Sequence, residues 1–480
     1  MIFDAIAFSD TRTGNNTTSK ALKAFADFME RKLGVRIVRE LQTIPFRRPD
    51  LLEPMELAAL LKEHGIIQEL APIRYFPDEP RMKGWYAICN DPTSHQVGGT
   101  TWDSDELSLY ATLAEALERY IWMTQDDYFV DPIRATTEAI AKRGKYVSPH
   151  DFVGYSEEQR ALHPSRKLRA DAKYLWIRGT SLVSGAKIYV PAQTVSGLWR
   201  QNWAGGAEEP LIRQQNTNGL ATWPTKIGAR LAGALEVIER EAYMTMWLNQ
   251  LSTPRISIDS LRSEFPELQK IFSLCEKFRM KVHVLPLPTD APAHVVAVVV
   301  EDMSGQAPRF TIGLKAHTSL SQAVQKALTE ALRAHRGYRL WVHAGNTWDV
   351  STPVEKVGHR DRLYYWGVPE HAKHLEFMLR GPERAFEHKA WDSDTIEEHY
   401  RRIIEWCSEK NFECISVPLT LSAMNPTSLH IEMILIPQLH PTYLDESTRQ
   451  FGGSRWRDVA ISAGYTPRKK PYDERPHPFS

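Results

Sequence analysis

The sequence predicts an α+β fold that combines antiparallel sheet with long helices carrying glutamates. Three stretches have helical spacing and few charges, and they span residues 107–123, 227–247 and 320–336. Runs rich in β-branched residues, such as residues 294–300, lie between them and are typical of strands. The strands cluster and the helices are too irregularly spaced for a solenoid, so we expect helices packed against sheets.

The composition is that of a globular chain with balanced charge. The 480 residues include 59 basic and 59 acidic side chains, which gives no electrostatic case for binding nucleic acid or an anionic membrane. The four cysteines lack the paired spacing of a zinc site or a disulfide framework. The first residues lack a signal-peptide pattern, and no apolar run approaches the ~18 residues of a membrane span. We therefore expect a soluble cytoplasmic protein without a nucleic-acid or membrane partner.

Composition divides the chain into three parts. Residues 1–80 are interpreted as an N-terminal docking or dimerisation segment, with helices predicted over residues 19–33 and 54–64. An elaboration of the main domain is an equally good interpretation of this segment. Residues 81–464 form the main domain. Residues 465–480 are rich in proline and charge, which by composition is typical of a disordered end.

The first glutamate-bearing helix follows a strand predicted at residues 85–89 and a turn predicted at residues 98–101. Its middle is almost free of charge except for Glu115, Glu118 and Arg119, which form an E-x-x-E-R pattern. Residues three and four positions apart share one face of a helix, so these side chains point the same way.

The second glutamate-bearing helix, over residues 227–247, repeats the E-x-x-E-R pattern with Glu236, Glu239 and Arg240. The rest of this helix is mainly apolar all round, and such helices are usually buried. Because a buried carboxylate is costly unless something pairs with it, these glutamates need a partner.

The third helix, over residues 320–336, carries a shortened copy with Lys326, Glu330 and Arg333 on one face. One such pattern is common as a solvated salt-bridged stripe. Two full copies and a third glutamate inside otherwise apolar helices instead favour a shared role. Mg²⁺ combines one or two carboxylates with waters and phosphate oxygens, so the residues predict Mg²⁺ and a nucleotide between the three helices.

These features together resemble the YcaO family. The resemblance runs from about residue 84 to the end, and it includes the three helices, the T-N-G-L-A segment at residues 217–221 and the strand pair predicted over residues 174–192. It implies an ATP- and Mg²⁺-dependent cyclodehydratase. Such an enzyme phosphorylates a backbone amide oxygen of a ribosomal precursor peptide and converts Cys, Ser or Thr to thiazoline or oxazoline.

The resemblance also implies roles for individual residues. The glutamates of the three helices would hold Mg²⁺, and residues beside them would bind the nucleotide. The implied metal ligands are Glu115, Glu118, Glu236, Glu239 and Glu330, and the implied nucleotide-binding residues are Arg119, Thr217, Asn218, Arg240 and Lys326. Lys326 stands where the family usually has arginine, which changes the contact geometry because lysine is a point charge. Pro224 and Gly228 stand where many members have asparagine and glutamate.

The resemblance changes the interpretation of residues 465–480. Azoline-forming members often end in P-x-P-x-P, threaded toward the active site. This sequence has Pro476 and Pro478 at two of the three proline positions, and Ser480 departs from the pattern at the third. We therefore expect these three residues at the catalytic centre, with the carboxylate of Ser480 as a candidate general base. Proline fixes φ and lowers the entropy lost when such a tail is ordered.

Two other functions stay open at this point. A thioamide-forming member of the family also activates an amide with ATP but brings sulfide, and the proline-containing tail disfavours it. A non-catalytic scaffold of a peptide-modifying complex is favoured by the changes at Pro224, Gly228 and Lys326. The expected partners are the precursor peptide, a leader-peptide-binding protein and a flavin dehydrogenase, and a homodimer is the expected oligomer.

Overall fold

A computed structural model describes residues 52–91, 94–124, 129, 131–197, 208–419 and 428–479. The helix predicted over residues 19–33 lies outside these residues, as does Ser480. Within them the fold is α+β, as predicted, with helices and antiparallel-rich sheets. No helix of this part of the chain combines the length and apolar character needed to cross a bilayer.

The secondary structure follows the chain in this order. The helices are α1 (Pro54–Glu63), α2 (Asp105–Thr124), α3 (Thr137–Ala141), α4 (Glu157–Leu162), α5 (Lys226–Asn249), α6 (Ile258–Glu264), α7 (Pro266–Lys277), α8 (Leu320–His343), α9 (Asp361–Gly367), α10 (Pro369–Ala372), α11 (Ile396–Glu409) and α12 (Arg455–Ser462). The strands are β1 (Ile67–Pro72), β2 (Lys83–Cys89), β3 (Gln96–Thr101), β4 (Ile133–Ala135), β5 (Tyr174–Ser181), β6 (Lys187–Pro191), β7 (Leu220–Trp223), β8 (Arg255–Ile256), β9 (Met280–Pro286), β10 (His294–Asp302), β11 (Phe310–His317), β12 (Glu383–Arg384), β13 (Ile415–Pro418) and β14 (His430–Leu435).

The strands form three sheets. The first has the order β1-β2-β3, the second has the order β11-β10-β9-β8-β12, and the third has the order β4-β5-β13-β14-β7 with β6 paired to β5. Strands β3, β7 and β11 are therefore edge strands. One side of each carries backbone N–H and C=O groups that no strand of the described residues pairs.

The three glutamate-bearing helices of the prediction are α2, α5 and α8. Helix α2 packs on β2 and β3, α5 packs on β7, β14 and β11, and α8 packs on β10 and β11. Along β10 the side chains alternate, so Val295 and Ala297 join the core around α5, whereas Val296 and Val298 join the core around α8. The second sheet thus lies between α5 and α8.

Glycines allow these helices to approach the edge strands closely. A Cβ at Gly313 of β11 would lie 2.0 Å from the carbonyl oxygen of Ala327 in α8, and one at Gly99 of β3 would lie 2.4 Å from that of Ser108 in α2. Gly233 of α5 meets the backbone just before β7 in the same way. Each contact brings a glutamate-bearing helix against a strand edge.

Most of the predicted elements are confirmed, and one is wrong. The strand pair predicted over residues 174–192 is β5 and β6, and Gly185 in its turn has a φ of 72°. The turn predicted at residues 98–101 is instead the second half of β3. Gly99 is there for the close contact with α2, which local sequence patterns do not distinguish from a turn.

The described part of the tail is packed against α5. The backbone N–H of Tyr472 donates to the carbonyl oxygen of Leu248 at 2.9 Å, and the Tyr472 ring lies 5.4 Å from the ring of Trp247. Only 8% of the surface of Tyr472 and of Phe479 is exposed. The disordered end that composition alone predicts is therefore wrong for residues 465–479.

Candidate functional site

Two helices on opposite faces of the second sheet direct carboxylates to the same strand edge. The backbone N–H of Leu314 donates to Oε2 of Glu330 at 2.7 Å, and that of Ala316 donates to Oε2 of Glu239 at 2.7 Å. Both N–H groups lie on the free edge of β11. The carboxylates of α5 and α8 therefore satisfy backbone donors that a further strand would otherwise pair.

A second pair of carboxylates lies at the edge of β7. The backbone N–H of Gly219 donates to Oε2 of Glu236 at 3.3 Å, and the hydroxyl of Thr222 lies 3.2 Å from Oε2 of Glu118. The charge of Glu236 acts on the carboxyl of Glu118, which places α2 and α5 beside each other here. The edges of β7 and β11 are thus joined through α5.

Arg240 is the cation that joins these groups. Its guanidinium lies 3.0 Å from Oε1 of Glu236 and also donates to Oε1 of Glu239. The charge of Glu330 acts on it as well. Burial alone would lower the pKa of Arg240, but the three carboxylates outweigh burial and raise that pKa.

The other two predicted site residues of α2, Glu115 and Arg119, also lie near this cluster. Arg119 donates through Nη1 to the hydroxyl of Thr217 at 2.6 Å, and its Nη2 lies 4.0 Å from Oε1 of Glu115. The side-chain amide of Asn218 donates to the hydroxyl of Thr442 at 3.0 Å. The T-N-G segment is therefore held between α2 and the chain after β14, next to the carboxylates.

Two of the glutamates are half-buried without full compensation of their charge. Burial raises the pKa of Glu118 to about 8, and the nearby Arg119 opposes this only in part. Burial likewise raises the pKa of Glu330 to about 7, opposed by Arg240. Carboxylates whose ionised form is destabilised are the oxygen donors that a hard divalent cation stabilises. The donor set therefore fits Mg²⁺.

In this structure the glutamate carboxylates are not arranged as the ligands of one metal ion. In the part of the chain that the structure describes, no three His, Cys, Asp or Glu side chains form a group that could hold a metal ion. Arg240 instead occupies the space between Glu236 and Glu239. Binding of Mg²⁺ by these glutamates would require their carboxylates to turn from Arg240 and from the backbone N–H groups toward the ion.

Lys326 lies on α8, one helical turn before Glu330. Its side chain is accessible to solvent, but the protein surrounds it closely, and this burial lowers its pKa to about 8. The positive charge of Lys315 lowers the pKa further, and Asp103 opposes the shift. Lys326 and Lys315 are therefore close enough for their charges to interact.

Lys315 is a site residue that the sequence analysis missed. Its Nζ lies 3.7 Å from Oε2 of Glu239, so Glu239 faces both Lys315 and Arg240. The signal was present in the sequence, because a lysine between Leu314 and Ala316 interrupts an apolar strand. An interruption of this kind marks the side of the strand that faces a polar site.

The tail reaches the carboxylate cluster through Phe479. The guanidinium carbon of Arg240 lies 4.5 Å from the centroid of the Phe479 ring. The backbone N–H of Phe479 donates to the hydroxyl of Tyr243 at 3.1 Å, and Arg362 donates to the Phe479 carbonyl oxygen at 3.3 Å. Pro476 and Pro478 are buried next to it. Nothing in the sequence pointed to Tyr243 or Arg362.

The position of Gly228 has a structural explanation. A Cβ at Gly228 would lie 1.9 Å from Cδ1 of Trp223, so the indole occupies the space in which a side chain at position 228 would start. The departure from the family pattern at this position therefore coincides with an aromatic side chain packed on the first turn of α5.

The comparison with known families decides the identity of the fold. A sequence profile of the YcaO family, described as a cyclodehydratase that binds ATP and Mg²⁺, matches residues 102–440. The chain belongs to the YcaO family. The matched range contains the glutamates of α2, α5 and α8, and it ends before the tail.

Individual relatives of this YcaO protein are distant. An uncharacterised protein from Methanothermobacter thermautotrophicus is 28% identical over 190 residues, which are 39% of this chain and 47% of the relative. A solved heterocyclase in complex with substrate and cofactor has a TM-score of 0.70 at 20% identity, over 89% of this chain and 57% of that one. The chain thus spans about half the length of these two proteins.

A further solved structure has a length closer to that of this YcaO chain. It is the YcaO protein from Methanopyrus kandleri, bound with AMPPCP and Mg²⁺, with a TM-score of 0.58 at 17% identity. The alignment covers 83% of this chain and 94% of that one. At these identities the solved structures establish a shared fold.

Proposed function

We propose that this YcaO protein is an ATP- and Mg²⁺-dependent cyclodehydratase acting on a ribosomal precursor peptide. It would phosphorylate a backbone amide oxygen and convert a neighbouring Cys, Ser or Thr to thiazoline or oxazoline. The observation that carries this proposal is the meeting of carboxylates from α5 and α8 around Arg240, with Glu118 of α2 close enough to interact with Glu236 and Phe479 against the same guanidinium.

In this proposal the glutamates hold the metal ion. Glu118 and Glu330 support this role because burial disfavours their ionised forms in the absence of a cation. The other ligands are Glu115, Glu236 and Glu239. Mg²⁺, when bound, neutralises charge on phosphate oxygens and orients them.

The cations and polar groups around the glutamates would bind the nucleotide. Arg240 and Lys326 would contact phosphates, and Arg119, which donates to Thr217 next to Asn218, would support this role. Phosphoryl transfer depends mainly on positioning and on charge neutralisation, which a cluster of carboxylates, a metal ion and fixed cations supplies. When Arg240 contacts phosphate, Glu236 and Glu239 are released for the metal.

The tail supports azoline formation rather than thioamide formation. Pro476 and Pro478 lie in a buried segment that leads to the Arg240 cluster. Such a tail would exclude water from the reacting amide and would help to position the attacking side chain. The partners proposed for this activity are a leader-peptide-binding protein and a flavin dehydrogenase, with a homodimeric assembly in the cytoplasm.

Two measurements test the proposed function. Isothermal titration of the purified protein with AMPPCP should show binding that requires Mg²⁺, whereas a scaffold would show none. Co-expression with a small Cys-, Ser- or Thr-rich peptide encoded beside its gene should then yield a product lighter by one water per ring. Exchange of an oxygen for a sulfur in the product would instead establish thioamide formation, and an unchanged peptide would contradict both reactions.

A further inference from the structure

Arg213 is a buried arginine to which the proposed function gives no role. Only 8% of its surface is exposed, and its guanidinium carbon lies 5.4 Å from the centroid of the Phe152 ring. It forms no hydrogen bond or ion pair with any residue that the structure describes. Burying a charge without a counter-ion is costly, and contact with an aromatic ring offsets only part of that cost. Arg213 is therefore expected to meet an anion that the chain itself does not supply.

The backbone on both sides of Arg213 is held by its neighbours. The backbone N–H of Ile212 donates to Oε1 of Gln193 at 2.9 Å. On the other side, the side-chain amide of Gln214 donates to Oδ2 of Asp445 at 3.0 Å. The position of Arg213 is thus fixed by contacts that do not involve its guanidinium, so the charged group is held in place before any ligand binds.

Arg213 lines a small cavity that belongs to the predicted nucleotide site. Two residues already assigned to the nucleotide, Asn218 and Arg240, line the same cavity, whose volume is about 10 Å³. The remaining walls are apolar and consist of Val237, Ile434, Ile436, Leu439 and Pro441. A space of this volume holds about one atom the size of a water oxygen. Two guanidinium groups around such a space favour a single anionic oxygen.

The two arginines of the cavity differ in how their charge is compensated. Arg240 is paired with Glu236 and Glu239. Burial lowers the pKa of Arg213 to about 10, and no carboxylate acts against this shift. An anion that enters the cavity would therefore gain most from Arg213. It would not have to displace a carboxylate from it, as it would from Arg240.

We propose that Arg213 binds a phosphate oxygen of the nucleotide in this cavity, an inference that rests on the proposed function. The oxygen would lie between the guanidinium groups of Arg213 and Arg240. Guanidinium suits phosphate because its fixed fork of N–H groups forms charged hydrogen bonds, and apolar walls strengthen such bonds. Because Arg213 is held in place beforehand, little entropy is lost when it binds.

Substitution of Arg213 by methionine provides the test. Arg213→Met keeps a long side chain and removes the charge. Its affinity for Mg²⁺·AMPPCP, measured by calorimetry, should fall by about tenfold or more, as when a charged hydrogen bond is lost. The matched control is Arg178→Met in β5, which removes an exposed guanidinium 5.5 Å from the ring centroid of Tyr189. The control should bind Mg²⁺·AMPPCP like the wild type.

The melting temperature without ligand separates binding from a structural role. Arg213→Met should melt at the wild-type temperature or above it, because an apolar side chain replaces an uncompensated buried charge. If this variant does not fold, Arg213→Lys decides, since it keeps the charge but loses the fork. Arg213→Lys should fold and bind Mg²⁺·AMPPCP several-fold more weakly than the wild type.

Inorganic tripolyphosphate shows which part of the nucleotide Arg213 contacts. In the presence of Mg²⁺, its affinity should fall in Arg213→Met by the same factor as that of AMPPCP. An unchanged affinity for tripolyphosphate would place Arg213 at the nucleoside and overturn the inference. Equal affinities of the wild type and the Arg213 variants for Mg²⁺·AMPPCP would overturn it while the proposed function stands. A wild-type protein that does not bind Mg²⁺·AMPPCP would overturn the proposed function and this inference with it.

Discussion

The guanidinium of Arg240 lies over the ring of Phe479, with 4.5 Å between its carbon and the ring centroid. The same guanidinium bonds to Glu236 and Glu239. A cation over an aromatic face gains electrostatic energy, and it gains more when water is excluded. One arginine therefore connects the tail to the carboxylates, so we expect a change in the tail to affect the carboxylate cluster.

The first prediction concerns the tail. Deletion of residues 477–480 should lower the rate of ring formation by more than about tenfold, or about 1.4 kcal/mol in barrier, because the wall beside the reacting amide is lost. The affinity for Mg²⁺·AMPPCP should change much less. Rates are measured by mass spectrometry of the peptide product.

The control for this deletion is Phe479→Leu, which keeps an apolar side chain but removes the aromatic face under Arg240. It should fold normally and show an intermediate rate. Equal rates for the full-length and shortened proteins would remove the tail from catalysis. They would also remove the main reason to prefer azoline over thioamide formation.

The second prediction concerns Glu239, which faces Arg240, Lys315 and the backbone N–H of Ala316. In Glu239→Gln a side-chain oxygen still accepts from Ala316, but the negative charge is lost. ATP turnover in the presence of Mg²⁺ should fall by about a hundredfold or more, as when a charge-stabilising group is removed from an active site. Released phosphate provides the measurement.

Glu409→Gln is the matched control, because Glu409 is an exposed residue at the end of α11. Both variants should unfold at the wild-type temperature within a few degrees. Undiminished phosphate release by Glu239→Gln, with Glu409→Gln also normal, would refute the assignment of Glu239 to the metal and nucleotide site.

The third prediction concerns pH and metal binding. Burial raises the pKa of Glu118 to about 8 and that of Glu330 to about 7, so at pH 7 Glu118 is mostly protonated and Glu330 is about half protonated in the metal-free protein. A raised pKa favours folding below the unfolded value near 4.5, and this contribution is lost as pH rises through 7 and 8. Without metal, the melting temperature should therefore fall over this pH range.

Mg²⁺·AMPPCP should counteract this loss, because it stabilises the ionised carboxylates. The gain in melting temperature on adding it should grow between pH 6 and pH 8, and binding should release protons. Calorimetry in buffers of different ionisation enthalpy counts those protons. The count should fall in Glu118→Gln, and a gain in melting temperature independent of pH would contradict the prediction.

The fourth prediction concerns Gly313, which lets β11 pack against α8. A Cβ there would lie 2.0 Å from the carbonyl oxygen of Ala327, so Gly313→Ala must separate the strand from the helix. The free energy of unfolding should drop by about 1–3 kcal/mol or more, as in other overpacked sites. Nucleotide affinity should weaken as well, because Glu330 moves away from the edge of β11.

Gly337→Ala, in the same α8, is the control. A Cβ at Gly337 would be in ordinary contact, 3.5 Å from Leu363, and alanine favours helix. This variant should be as stable as the wild type or more stable by about 0.5–1 kcal/mol. Urea denaturation of both proteins gives the comparison, and equal stabilities would show that the close contact at Gly313 is not needed.

The sequence patterns predicted which faces of the helices carry the glutamates, but not which strands those glutamates contact. The E-x-x-E-R pattern on apolar helices was enough to place Glu118 and Glu236 on interior faces, because a helical period of 3.6 fixes which residues share a face. It could not show that Leu314 and Ala316 of an edge strand donate to the glutamates. Those contacts depend on how the helices pack against the sheet, and the local periodicity of the sequence does not specify this packing.

The same limit explains the misplaced turn and the missed residues. The glycine pair at residues 98–99 signals a turn locally, but here Gly99 serves a close contact with α2 that exists only in the folded protein. Tyr243 and Arg362 bind the tail through side chains that sit in ordinary helical positions. Their role becomes visible only when the tail is placed beside them.

The distribution of the glutamates over α2, α5 and α8 also determines how the site forms during folding. These helices lie far apart along the chain, so the carboxylates of one helix meet those of another only through contacts of long sequence separation. Closing such long loops costs entropy before any contact repays it, and proteins dominated by these contacts fold slowly. We therefore expect nucleotide binding to require the completely assembled domain.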